Sequence, residues 1–260
     1  MKLLRLFGAT FSFSLRREMT FRVNLVFRLI LTVLDIASGF IVLSAIYTQT
    51  RELSGWSLGA ALALLGTYQA TSGIFATFFA PNLDWFTAQV REGTLDNVLV
   101  QPVPGLYLIS LSKCAPFALS QVALGLSVVI LGIHDLDTLP AWWAVLSWLI
   151  LTGAGLVIIW AMRVLIACLA LWNPFIELQV FFDAIWQFGR YPVDIYRQPL
   201  RFILTCVLPL AFTASFPASA LTGRANPLLP LIGIAASCVA VTLVHLVWKA
   251  GLRRYTSASS

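Results

Sequence analysis

The sequence predicts an all-α integral membrane protein with six transmembrane helices, on three observations. Of 260 residues, 59% are hydrophobic and only 11% are charged, where soluble domains carry about 25% charged residues. The apolar runs exceed the roughly 18 residues that separate a spanning helix from a buried core helix. The basic residues gather at the ends, with Lys2, Arg5, Arg16, Arg17 and Arg22 before the first long apolar run and Lys249, Arg253 and Arg254 after the last. The positive-inside rule then puts both termini in the cytoplasm, which requires an even number of crossings. These basic residues flank spans and form no stripe with aromatic readers, so the partner is a lipid bilayer and not nucleic acid.

In residues 1–22, Phe7, Phe11 and Phe13 are interleaved with Arg16, Arg17 and Glu18. That pattern predicts an amphipathic helix lying in the inner interface, and no cleavable signal is evident. The spans fall at 23–47, 57–80, 105–132, 142–171, 175–190 and 228–249, all within one domain covering 1–260. Trp56, Trp142, Trp143, Trp172 and Trp248 mark several ends, where amphipathic rings suit the headgroup layer. In the second span Gly59, Ala63, Gly66, Ala70, Gly73 and Thr77 alternate spacings of four and three. They form a stripe of small residues on one helical face, the pattern of a tight helix–helix seam. Cys114, Cys168, Cys206 and Cys238 sit in or beside apolar runs without C-x-x-C spacing and read as small buried hydrophobes. The tail from Thr256 to Ser260 reads as loose.

The stretch 172–226 admits two readings. Phe202 to Leu221 is apolar and long enough to cross, but Pro209 and Pro217 break it. Either 175–190 crosses and 200–222 dips in from the outer face, or 173–201 lies on the inner surface and 202–221 crosses. The second places Arg190, Arg197 and Arg201 inside, as charge counting prefers.

The longest cytoplasmic loop is 81–104. Leu83, Phe86 and Val90 share a helical face, with Asp84, Gln89 and Arg91 elsewhere. Gly93 can end that helix, Thr94 can cap the next, and Leu95, Val98 and Leu99 make a second apolar face before Pro102 and Pro104 stop it. Two short surface helices result, which leave Arg91, Glu92, Asp96, Asn97 and Gln101 available to a cytoplasmic partner.

The string Arg91-Glu92-Gly93-Thr94-Leu95-Asp96, followed by Leu99 and Pro102, resembles the cytoplasmic loop of ABC-2 type permeases. It is most similar to a bacterial branch of about 260 residues per chain. The same branch is matched by Phe188-Gly189-Arg190-Tyr191-Pro192-Val193-Asp194-Ile195-Tyr196, by Leu208-Pro209, by Phe216-Pro217-Ala218 and by Leu221-Thr222-Gly223, in order along the chain. This chain departs from the pattern after Tyr196, with Arg197 and later Pro199 where the branch often has a proline directly.

The resemblance implies six spans, a coupling helix in 81–104 and an outer re-entrant segment over 191–226, carrying Tyr191, Pro192, Tyr196, Pro209 and Pro217, and so favours the first reading. It implies an exporter in the bacterial cytoplasmic membrane, working as two permease chains, identical or related, with two ATPase subunits. Drugs, antibiotics and other amphipathic molecules are the family's usual cargo. Arg190, Arg197 and Arg201 then face outward, where Asp194 and lipid phosphates are their expected partners. The chain's lysines, Lys2, Lys113 and Lys249, lie in no G-x-x-x-x-G-K-[ST] loop. No cofactor and no ATP hydrolysis are therefore expected here, and ATP with Mg belongs to the partner.

Asp35 and Asp183 fall near the middle of the first and fifth spans. A carboxylate at that depth costs about 2.5–3.5 kcal/mol on insertion scales and is normally paired. Arg28 or Arg163 could pair with them, but Arg28 lies seven residues from Asp35, about 10 Å along a helix and too far for direct contact on the same helix. Both arginines lie within reach of the inner interface, where they would snorkel. Alternatively, the two acids face a central path and favour a cationic, amphipathic substrate. Glu177, His245 and the His134, Asp135, Asp137 group suggest neither metal site nor catalytic set. An ATP-independent channel or secondary carrier would instead show inverted repeats with matching broken helices, and only the second half has such a break.

Overall fold

The computed structural model describes residues 2–20, 22–136, 138–173 and 178–254. Asp137, the start of the predicted fifth span with Glu177, and the predicted tail Thr256–Ser260 lie outside them.

The chain opens with α1 (Lys2–Thr20). Phe7 and Phe11, one turn apart, pack on Phe78, and the Glu18 carboxylate accepts the Phe117 N–H at 2.9 Å. Next, α2 (Arg22–Tyr47) leaves most of its apolar side chains exposed. After a turn, Ser57 caps α3 (Leu58–Phe78) by accepting the Ala60 N–H. The loop that follows forms α4 (Ala80–Arg91) and α5 (Asp96–Leu99). Then come α6 (Gly105–Leu111), α7 (Leu119–His134) and α8 (Trp142–Cys168). The second half is more broken, with α9 (Leu178–Trp186), α10 (Leu200–Phe202), α11 (Ser215–Leu221) and finally α12 (Leu229–Arg254).

Among the described residues four helices are long and apolar enough to cross a membrane, over Leu25–Tyr47, Pro116–His134, Trp142–Leu171 and Leu229–Arg253. A fifth counts if Leu200–Val207 and Leu210–Leu221, bent by 70°, form one span. Helix α3 has 21 residues, about 31 Å at 1.5 Å each. Glycine, threonine and glutamine lower its hydropathy, and protein rather than lipid encloses it.

The small-residue stripe of α3 does form a seam, and its partner is α7, running antiparallel. Gly59 lies against Gly132, Gly66 against Gly125 and Val129, and Gly73 against Val122. A β-carbon on Gly66 would sit 2.5 Å from the Val129 nitrogen, and one on Gly125 would sit 2.5 Å from the Ala70 nitrogen. The backbones touch, which only glycine permits at these positions.

The third predicted span, 105–132, is not one helix. It breaks after α6, and the spanning part starts at Pro116, because Asn82 of α4 captures the backbone of the break. Buried Asn82 donates through Nδ2 to the carbonyls of Phe78, Ser110 and Lys113, at 2.6, 3.0 and 2.8 Å. Its Oδ1 accepts from the Lys113 N–H at 2.6 Å and the Ser112 hydroxyl at 3.0 Å. Asn82→Ala leaves these groups unmatched and should cost about 1–3 kcal/mol, read as a lower thermal midpoint in detergent.

Contacts order the bundle along its axis. At one end α4 packs on α8, and Phe86 of α4 meets Trp248 of α12 with ring centroids 5.7 Å apart. At the opposite end lie Trp56, Leu136 and Gly223. Gly233 rests on Leu151 and Ala154, and Gly251 on Leu171, so α8 and α12 run in the same direction. The chain between them must therefore return to the Trp56 end. It does so over 178–194: Gln179 donates to Thr87 Oγ1 at 3.0 Å, Trp186 to Ser72 at 3.2 Å, and Asp194 accepts the Trp56 indole N–H at 3.0 Å.

The run from α10 to α11 starts from the Trp56 end and returns to it. Arg201 pairs with Asp194 at 2.5 Å, Phe212 and Thr213 reach inward to Gly155 and Thr71, and Arg224 bonds the Gly55 carbonyl. Pro209, which has no N–H to continue a helix, marks the bend.

Several expectations are corrected. Trp56 and Trp248 are buried pegs, not belt residues, whereas Trp142 and Trp143 are exposed. Cys114 and Cys168 are buried, but Cys206 and Cys238 are exposed. Thr94 closes α4 instead of capping α5: its N–H donates to Gln89 O at 3.0 Å after Gly93 turns at φ +67°, and α5 has no side-chain cap.

Candidate functional site

Halfway along the bundle the apolar helices carry a row of polar side chains. Asp35 of α2 accepts from Arg190 at 2.5 Å and from Gln69 Nε2 of α3 at 2.8 Å. Gln69 Oε1 in turn accepts from Gln121 of α7 at 2.8 Å. Such a chain is how a charge at this depth is satisfied, since polar groups in hydrocarbon find each other. Arg190 sits in the 3₁₀ turn that follows α9, with its guanidinium 5.6 Å from the Tyr68 ring centre. It reaches Asp35 because Gly189 lets that turn lie against Tyr68 and Thr213.

A second pair joins α8 to α9. Arg163 pairs with Asp183, and its guanidinium lies 4.8, 5.3 and 6.0 Å from the rings of Phe182, Phe75 and Trp186. The Arg163 side chain is only 13% exposed, while that of Asp183 is 59% exposed.

Both pairs border one cavity of about 400 Å³, with Tyr68, Gln121 and Trp186 in its wall and Asp84 of α4 at its margin. Burial pushes the Asp84 carboxyl above its ordinary range, with Arg163 opposing the shift and Asp183 adding to it. A neighbouring cavity of about 440 Å³ at the α4 end shares Asp84 and Gln179 with the first and extends to Arg91 and Glu92.

Asp35 and Asp183, predicted as separate midspan acids, thus share one cavity. Arg163 pairs with Asp183 instead of snorkelling to the interface, and the partner of Asp35 is Arg190. Of the arginines expected beside Asp194, Arg201 pairs with it, while Arg190 turns to Asp35. Gln69, Gln121 and Tyr68 were not singled out from the sequence. Their signal was polarity inside apolar runs, where each such group needs a partner.

The other predicted residues lie at the two ends. Arg91 and Glu92 close α4, and Gly93 and Thr94 make the turn. Leu95 is buried beneath it, Asp96 starts α5, and Asn97, Gln101 and Pro102 are exposed. At the Trp56 end, Tyr191 packs against the cluster of Leu43, Ala61, Leu62 and Leu65, buried Pro192 leads into the turn Val193–Ile195, and the Tyr196 hydroxyl donates to Phe188 O at 3.0 Å. Pro217 is buried within α11. Among the described residues no group of three His, Cys, Asp or Glu side chains could hold a metal ion.

A family model described as ABC-2 family transporter protein matches residues 33–259. No curated protein and no solved structure gives a match. The matched region takes in the polar row, both cavities, the α4–α5 loop and the bent α10–α11 segment, and the chain therefore belongs to the ABC-2 family of membrane transporter proteins.

Proposed function

We propose that this chain is the permease subunit of an ATP-driven exporter, moving an amphipathic molecule with a cationic group out of the cytoplasm or inner leaflet. The observation that carries the reading is the polar cavity that Asp35, Asp183, Arg163 and Arg190 line among the apolar helices. Carboxylates there are too costly to face lipid. A second permease chain, identical or related, would complete the path, and a path lined by acids suits a cation.

In this reading α2, α3, α7, α8, the 178–194 segment and α12 make six crossings. Both termini and the interfacial helix 1–22 lie on the cytoplasmic side of a bacterial inner membrane. The run 191–226 is a re-entrant element on the outer side, supported by its departure from and return to the Trp56 end. The α4–α5 loop is the coupling element for an ATPase subunit present in two copies, which supplies ATP and Mg. Its support is a pairing of exposed polar residues with a buried underside, where Phe86, Leu95 and Val98 anchor the loop to the bundle. Motion of that loop would reach the cavity directly, because Asp84 and Thr87 on α4 contact its margin and α9.

The test is co-expression with candidate ATPases in membrane vesicles. Substrate-stimulated ATP hydrolysis should require this chain. Glu92→Lys and Asp96→Lys should each lower that stimulation at least about tenfold while membrane expression is kept, the size expected when a like charge replaces a complementary one at an interface. Full transport in both variants would remove the coupling role from the loop.

A further inference from the structure

The rings of Phe75, Phe182 and Trp186 form a box, and the box already holds a cation. Its occupant is the Arg163 guanidinium, on a long flexible side chain at the wall of the cavity. Stacking on aromatic faces is a property of guanidinium and of organic cations alike. The carboxylate that completes the box, Asp183, is largely exposed and so within reach of a molecule in the cavity. Charge counting gives a second, independent observation. The cavity wall carries Asp35, Asp84 and Asp183 against Arg163 and Arg190, so three negative charges face two positive ones and one is left over. One added monovalent cation balances it.

We propose that the Phe75–Phe182–Trp186 box with Asp183 is a binding site for an organic monocation, closed at rest by Arg163, which an arriving cation displaces toward Asp84. The inference rests on the permease reading for its place in transport and deepens it by making Arg163 an internal stand-in for the cargo. Asp84 is the natural receiver: it borders the same cavity, and its charge already interacts with that of Arg163. It also lies on α4, so displacement moves a positive charge onto the helix that leads to Glu92. Binding at the box and the state of the α4 loop are thereby linked, each shifting the population of the other.

The test is calorimetric titration of the full-length chain in lipid nanodiscs with phenylguanidinium and with neutral phenylurea, in the absence of nucleotide. The wild-type chain should bind one phenylguanidinium and no phenylurea. Arg163→Gln empties the box and should bind phenylguanidinium about thirtyfold more tightly, the scale of one desolvated cation–ring interaction. Asp84→Asn removes both the receiver and one negative charge of the cavity, so it should weaken binding several-fold in the wild-type background and distinctly less in Arg163→Gln, where only the charge is lost. Equal affinity of the wild type and Arg163→Gln, an equal effect of Asp84→Asn in both backgrounds, or equal binding of phenylurea would each overturn the proposal. If Arg163→Gln does not fold, Arg163→Lys serves, since an ammonium stacks less well and should be displaced more easily. Unchanged affinity there would count against displacement equally. This readout needs no ATPase, so it can fail while the exporter reading stands, and absent ATPase stimulation would sink that reading without touching this one.

Discussion

Gly66→Val will remove the folded protein from the detergent-soluble fraction, and Gly125→Val will do the same. At both positions the first added carbon meets backbone 2.5 Å away on the opposing helix, not the tip of a movable side chain. Ordinary overpacking of a core costs about 1–3 kcal/mol because side chains turn aside. Here nothing can turn aside, so α3 and α7 must separate along the whole Gly59–Gly73 seam. The loss should exceed that range, and it would take the Gln69–Gln121 hydrogen bond with it. Gly153→Val is the control: it lies on α8 with no atom within 4 Å of its added carbon. A branched residue there should leave the thermal midpoint near that of the native chain. Fluorescence-detected size-exclusion profiles and melting midpoints of the three variants separate the cases. A well-folded Gly66→Val would mean that the two helices do not touch through their backbones.

What the sequence made legible follows from which interactions are local. The seam on α3 could be read because its glycines repeat on a single helix, and helical periodicity alone puts them on one face. The two short helices of the α4–α5 loop could be read for the same reason, from Leu83, Phe86 and Val90 on one face and Gly93 at the turn. Asp35 was visible as an acid needing a partner, but its partner was not, because Arg190 is 155 residues away and joins it only through the fold. Positive-inside counting could not supply that partner either. The rule weighs Arg190 as a loop charge, yet Gly189 turns it back into the bundle. The break in the third span was hidden likewise. Nothing in 105–116 announces that Asn82, about 30 residues earlier in the chain, will hold the carbonyls of Ser110 and Lys113. Trp56 and Trp248 were misplaced because a tryptophan at a span end reads as a belt residue unless its indole N–H or ring finds a partner such as Asp194 or Phe86.

Arg190→Gln should destabilise the protein more than Asp35→Asn, and the double variant should recover much of the difference. Arg190 is held at one point by Asp35 and lies over Tyr68, with its side chain 17% exposed, while Asp35 is 35% exposed. Removing the arginine leaves a carboxylate at midspan depth whose remaining bond is the Gln69 amide. Removing the charge of Asp35 instead leaves a guanidinium that still lies over the Tyr68 ring. Breaking a fully buried pair costs about 3–5 kcal/mol, and partial exposure of Asp35 puts the Arg190→Gln cost below that range. In Asp35→Asn/Arg190→Gln the two amides can bond each other and Gln69, so no uncompensated charge remains. Thermal midpoints of the three variants give the coupling energy through a double-mutant cycle. A coupling near zero would mean that the pair contributes nothing to the fold, and that Asp35 is held at midspan depth by Gln69 and Gln121 alone.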